Sequence, residues 1–433
     1  MPRITCGPGW LPAGLIGTFP PKPPRRLALR LALVSGSFLP GMSLLSRFAL
    51  LVALVWLAGC AATPTSSVPR TGNILVDGPR LAAEGPPQDR LLWLYRTAAA
   101  AMRQGDWALA KQTLDDALLT LGGIYADDPN ARAARGLFTE ESKKNFLGEP
   151  YERSMAYFYR GILYWMDGQP DNARACFRSA EFIDSDTEDK QFAGDWVLFD
   201  YLDGLATAKL GSDGADAARR AQANAKGILL PPLNAAANIL VFIEFGPGPT
   251  KFAAGEYGEQ LKFRIAVSRV RSARLLVNGL TIPIAAADDL NFQATTRGGR
   301  VMDHILGKKA VFKGTTDAIG NAALIGGALT AVAADKNSTR NIGMGIALAG
   351  LVSKVISAAT KPNADTRCWD NLPQFLSFAA VPLPPGPHTA RVEFLDPSGQ
   401  PINGLTKTVQ ITVPVAGDKV VFVSDTSVPN LSL

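Results

Sequence analysis

The sequence predicts an α+β protein, with an α-helical repeat domain followed by a β-rich, sandwich-like domain that carries a helical insert. Three observations predict it. Residues 88–227 are rich in Ala and Leu at helical spacing. Beyond residue 236, apolar and polar side chains alternate in short runs bounded by Gly and Pro. Between two groups of such runs lie two Gly- and Ala-rich apolar stretches, 319–334 and 342–359, joined by a polar tip at 335–341. The predicted organisation is an upstream extension and export signal at 1–59, a lipid-site Cys and tether at 60–87, helical repeats at 88–235, and the β-rich domain at 236–433 with its insert at 300–361.

Arg47 precedes an apolar run from Phe48 to Leu57, and Ala58-Gly59-Cys60 follow. The run has the length of a signal-peptide core and is too short to span a bilayer alone. Leu57-Ala58-Gly59-Cys60 resembles the lipobox of bacterial lipoproteins, in which the cysteine sulfur takes a diacylglyceryl group and small residues before it admit the peptidase. The resemblance implies Cys60 as the lipidation site and acyl chains as the membrane contact. Ala61-Ala62 lack the Asp that retains enterobacterial lipoproteins at the inner membrane, which implies the outer membrane, facing the periplasm. Residues 1–41, rich in Pro, Gly and Arg, stand upstream of a complete signal. Met42 as the true start and an unusually long leading region both account for them. Residues 63–87, with several Pro and Gly, predict a flexible tether.

In the helical half, two stretches resemble tetratricopeptide repeats. The first holds Leu94, Ala98, Ala101, Gly105-Asp106-Trp107, Ala110, Leu114 and Ala117; the second holds Tyr157, Gly161, Tyr164, Gly168, Ala173, Phe177 and Ala180. In each, a small residue in the first helix lies twelve before the first Ala of the second, which lets two helices approach closely. A third copy is read from Trp196 through Gly204, Gly211, Ala218 and Ala221. The extra segment at about 123–150 is expected to pack within the repeats. Glu149, Glu152, Arg153, Tyr157 and Tyr164 are the candidate partner-binding residues. For Glu149, Glu152 and Arg153 the competing reading is helix capping and surface ion pairs. Tyr157, Tyr159, Tyr164 and Trp165 include both groove and core positions.

Strands are expected at 239–245, 261–267, 273–277, 280–285, 290–295, 375–381, 389–395, 407–413 and 419–423, with Leu261, Phe263, Ile265 and Val267 sharing one face. The insert reads as a helical hairpin whose glycines permit backbone-to-backbone packing. Sixteen residues of helix reach about 24 Å, short of a ~30 Å hydrocarbon core, and Lys354 interrupts the second stretch. A soluble core element and a membrane contact both remain open for it.

The charge pattern excludes nucleic acid as the main partner. The net charge is +6, but residues 1–59 hold six cations and no Asp or Glu, so residues 60–433 carry 38 charges of each sign. Catalytic patterns are missing as well. The chain has two histidines, His304 and His388, no Cys/His cluster and no Gly-x-Ser-x-Gly elbow, so no catalytic residue, metal ligand or cofactor is assigned. The acidic run Asp184, Asp186, Glu188, Asp189 lacks the calcium-loop spacing and reads as a solvated turn. Cys176 and Cys368 are read as two buried thiols, with one disulfide as the alternative.

Glu141, Lys144, Phe146, Gly148-Glu149, Tyr151-Glu152-Arg153, Met155, Tyr159, Leu163-Tyr164, Asn172-Ala173-Arg174 and Arg178, with Ala364-Asp365-Thr366-Arg367-Cys368-Trp369, Leu372-Pro373 and Leu383-Pro384-Pro385-Gly386, resemble an uncharacterised family of bacterial lipoproteins with tetratricopeptide-like repeats. The resemblance implies architecture and location, and no activity. The expected function is a non-catalytic scaffold or adaptor that binds an envelope protein through the repeat groove. The alternative is a membrane-active or oligomerising protein that uses the hairpin at 317–360.

Overall fold

The computed structural model describes residues 68–125, 144–185, 192–225, 228, 230–296 and 363–432. Chain contacts divide the protein at Thr65–Ser66, and every described residue belongs to the unit Ser66–Leu433. The expectations for residues 1–59, for Cys60 and for the hairpin within 300–361 lie outside the described residues.

The described unit is mixed α+β, with helices in its N-terminal half and sheets in its C-terminal part. The helices are α1 (Ile74–Glu84), α2 (Arg90–Gln104), α3 (Trp107–Tyr125), α4 (Pro150–Met166), α5 (Pro170–Asp184), α6 (Val197–Lys209) and α7 (Ala215–Asn224). They pack as successive pairs, α2 with α3, α4 with α5, and α6 with α7. Gly105 and Gly168 make the first two tight turns in the left-handed conformation, at φ 75° and 72°, which glycine adopts without a Cβ penalty. The helix interiors explain the small residues. A Cβ on Gly161 would stand 2.6 Å from Cε1 of Phe177, and one on Gly204 would stand 3.0 Å from the carbonyl oxygen of Gly214.

The strands form two larger sheets and a hairpin. The first sheet runs β10 (Lys419–Ser424), β1 (Ile239–Pro247), β7 (Pro373–Val381), β6 (Asp288–Asp289). The second runs β11 (Asn430–Ser432), β9 (Lys407–Val413), β8 (Gly386–Leu395), β4 (Ser272–Val277), β5 (Leu280–Ala285). The hairpin pairs β2 (Thr250–Ala254) with β3 (Gln260–Arg264). Most pairings are antiparallel; β1 with β10 and β9 with β11 are parallel.

The layers follow from the strand sequences. Ile239 to Phe245 are all buried, because β1 is covered on both faces. Ile239, Val241, Ile243 and Phe245 face the second sheet, where Leu275, Val392, Phe394, Val409 and Ile411 meet them. Leu240 and Phe242 face the helices and join one core with Tyr159, Trp165, Phe177 and Trp369. In β9, by contrast, buried and exposed residues alternate, since only one face of the second sheet is covered. The result is three layers: helices, an inner sheet and an outer sheet. The boundary expected near residue 235 falls between α7 and β1, and a single apolar core crosses it.

Four expectations are corrected. The stretch read as a tether contains α1, whose Asp77 side chain accepts hydrogen bonds from the Thr71 and Gly72 amides and whose Leu81 is buried. Residues 290–295 form a short helix, α8 (Leu290–Thr295), because the Asp289 side chain accepts from the Asn291 amide and starts a helical turn. The strand expected to reach Val267 ends at Arg264, and Ile265 and Val267 are exposed. Asp184 is no solvated acid; it is buried and bonded, as described below.

Candidate functional site

Helix α4 opens with a capping box: Glu149 and Glu152 each accept from the other's backbone amide, and Pro150 occupies the first turn. The Glu152 carboxylate does more than cap. Its Oε1 accepts from the Trp369 amide at 2.7 Å, and Lys251 of β2 donates to its Oε2 at 2.5 Å. Both side chains are sealed from solvent. Burial raises the Glu152 carboxyl from its ordinary value, and Lys251 and the Trp369 amide work against that rise. Glu152 is therefore an internal tie between α4, the hairpin and the strand-rich part: it caps the helix as the capping reading expects, but its ion pair is buried and not at the surface.

The other candidates spread along α4. Glu149 sits at its first turn, 3.8 Å from Lys251, and Arg153 is half-buried one turn on. Tyr157 is half-buried against the core. Tyr164, in the last turn, stacks under the Arg160 guanidinium at 3.6 Å, which pairs with Asp115 of α3 at 2.7 Å. Tyr159 and Trp165 are core residues. Tyr159 donates to Glu244 of β1, which also accepts from Arg103 of α2 at 2.6 Å. Arg153, Tyr157 and Tyr164 are half-buried along α4, Glu149 lies at its start, and Glu152 alone of the five is sealed in the interior.

The structure instead opens a cleft of about 320 Å³ between the second and third helix pairs. Phe177, Glu181 and Phe182 of α5, Gly194 of the following turn, Asp200 and Asp203 of α6, and Arg220 of α7 line it. The turn is held by buried carboxylates. Asp184 accepts from the Gly194 and Asp195 amides and from the Trp196 indole. Asp288 of β6 accepts from the Val197 and Leu198 amides at 2.8 Å each, and so caps α6 from another layer. Burial pushes the Asp288 carboxyl up to about 7.

Within the cleft, Glu181 has one carboxylate oxygen buried without a hydrogen-bond partner among the described residues. Burial, then the neighbouring Asp200, Asp288 and Asp195, push it up to about 8. At neutral pH it is mostly a neutral acid. Arg220 binds Asp200 at 2.6 Å, so the rim charge is largely compensated. Phe182 stands 77% exposed at the edge. Sequence reasoning missed this place. The signal was an aromatic residue on the polar face of α5, whose buried positions are Ala173, Cys176, Phe177, Ala180 and Asp184.

A second cleft, of about 340 Å³, lies between α2, β2 and the segment 366–370. Trp93, Arg96, Thr250, Lys251, Arg367 and Asp370 line it. Arg96 pairs with Asp370 at 2.8 Å and lies 5.0 Å from the Trp93 ring. Arg70 approaches the same ring at 5.4 Å.

Neither described thiol is poised for attack. Cys176 and Cys368 are buried and unpaired with one another, and burial pushes each up to about 12. His388 lies at the surface between Asn278 and the Pro384 carbonyl. Among the described residues, no group of three His, Cys, Asp or Glu side chains is arranged to hold a metal ion, and no helix is long and apolar enough to cross a membrane. No family model, no curated protein and no solved structure matches the chain.

Proposed function

We propose that this chain is a lipid-anchored envelope protein that binds a protein partner and catalyses no reaction. Cys60 is the anchor, and the periplasmic face of the outer membrane is the location. The helix pairs are tetratricopeptide-like units, supported by their left-handed glycine turns and by small residues at the pair interfaces. Such stacked pairs offer extended binding surfaces.

The observation that carries the reading is the cleft between the second and third pairs. It joins an exposed aromatic, Phe182, to a half-buried, mostly neutral acid, Glu181, inside a largely charge-balanced rim. A partner segment with an apolar side chain over Phe182 and a hydrogen-bonding group toward Glu181 would satisfy both.

The test is a photo-crosslinking residue at position 182 in intact cells, with position 415 as control because Val415 is also strongly exposed. The expected result is one discrete protein adduct from 182, absent from 415 and weakened by Cys60→Ala. Equal products from both positions, or none from 182, reject the reading.

A further inference from the structure

The β2–β3 hairpin presents two unlike faces. Its inward face carries Lys251 and Phe263, directly opposite one another in register. Lys251 is tied to Glu152, and Phe263 packs edge-on against Tyr151. Its outward face carries Phe252 opposite Lys262, with the Arg264 guanidinium 5.7 Å from the Phe252 ring. The chain then leaves the strand with Ile265 and Val267 at 50% and 82% exposure. From Gln260 to Arg271 there are four cations and no acid. No described carboxylate lies within ion-pair distance of Lys262, Arg264 or Arg269.

The position of this face adds a second observation. Thr250 and Lys251 at the base of the hairpin line the same cleft as Trp93, and Arg70 lies against Trp93. The point where the chain enters the fold is thus beside the hairpin. Nine residues lie between Cys60 and Arg70, and the ten steps reach at most about 35 Å.

We propose that the outward face of the β2–β3 hairpin, together with the exposed segment Ile265–Val267 that follows it, rests on an anionic phospholipid surface. For the nearby bilayer this rests on the lipid-anchor reading. Apolar side chains enter the headgroup boundary while Lys262, Arg264 and Arg269 meet phosphate, the combination that interfacial segments use. The face would fix how the protein stands on the membrane, with the Phe182 cleft left to a partner.

The experiment is vesicle co-sedimentation of residues 60–433 carrying Cys60→Ala, the mature form on the lipid-anchor reading, which has neither an acyl site nor the cationic apolar leader. Vesicles of phosphatidylglycerol with phosphatidylethanolamine are compared with phosphatidylcholine alone. The expected result is binding to the anionic vesicles that falls about tenfold or more in K262E/R264E/R269E and several-fold in V267D. All four positions are exposed, so each variant should keep its circular dichroism and melting temperature. Absence of binding to anionic vesicles, or binding unchanged in both variants, overturns the proposal. Labelled palmitate incorporation at Cys60 in cells is read separately. Acylation without vesicle binding overturns only this proposal, whereas vesicle binding without acylation supports the surface and removes the anchor.

Discussion

Glu152 of α4 and Lys251 of β2 form an ion pair at 2.5 Å, with side-chain exposures of 0% and 2%. Its position explains its cost structure. Two charges have been taken from water, and each is acceptable only because the other is present. Lys251→Met leaves Glu152 uncompensated and is expected to destabilise by about 3–5 kcal/mol. Glu152→Gln with Lys251→Met removes both charges and should recover much of that loss. A double-mutant cycle by urea unfolding measures the coupling. Additive effects of the two single changes would refute it.

The helix pairs make a contrast of two glycines. At Gly161 a methyl group would stand 2.6 Å from the Phe177 ring, so Gly161→Ala is expected to cost about 1–3 kcal/mol through overpacking. At Gly168 there is open space but φ is 72°, so Gly168→Ala is expected to cost about 1 kcal/mol through backbone strain alone. Thermal melts of the two variants should rank in that order.

Glu181 makes stability depend on pH. Its carboxyl stands at about 8 in the fold against an ordinary value of 4.5, so the folded state holds a proton that the unfolded state releases. Stability is then full below about pH 4.5 and declines as pH rises toward 8. Asp288 acts in the same direction between about 3.8 and 7. Glu181→Gln should flatten the decline, stabilising the protein at pH 8 more than at pH 5. Unfolding free energies at pH 5 and pH 8 check this; an unchanged slope would count against a half-buried neutral acid.

Asp288 also caps α6 from the neighbouring sheet. Asp288→Ala leaves two amides without their acceptor and is expected to cost about 2 kcal/mol. Asp288→Asn retains an acceptor and should cost less. Hydrogen exchange at Val197 and Leu198 should quicken in the alanine variant before exchange in β1 does.

The helical and strand texture was legible in the sequence because period and burial agreed. Gly161 and Phe177 announced a close helix pair, and the alternation of Val409, Ile411 and Val413 announced a half-covered sheet. The tether reading failed at α1, where Pro79 and several glycines concealed an apolar face. Residues 290–295 failed because a side-chain cap from Asp289 decides a six-residue segment that periodicity cannot. The Glu152 site was visible as a capping box, but its partner Lys251 lies 99 positions away and carries no local signal. The cleft at Glu181 depends on three helices and the turn at Gly194 meeting, and only Phe182 on a polar face hinted at it.

The inner sheet has a temporal meaning. β1 lies between β7 and β10, so both of its neighbours come from residues 373–381 and 419–424. A chain that emerges from its amino end must hold Leu240 and Phe242, with the helices that need them, unfinished until those later strands arrive. Late pairings of this sequence separation slow folding and leave apolar surface waiting. An exported form of the protein would accordingly depend on holding chaperones for longer than a helical protein of similar length.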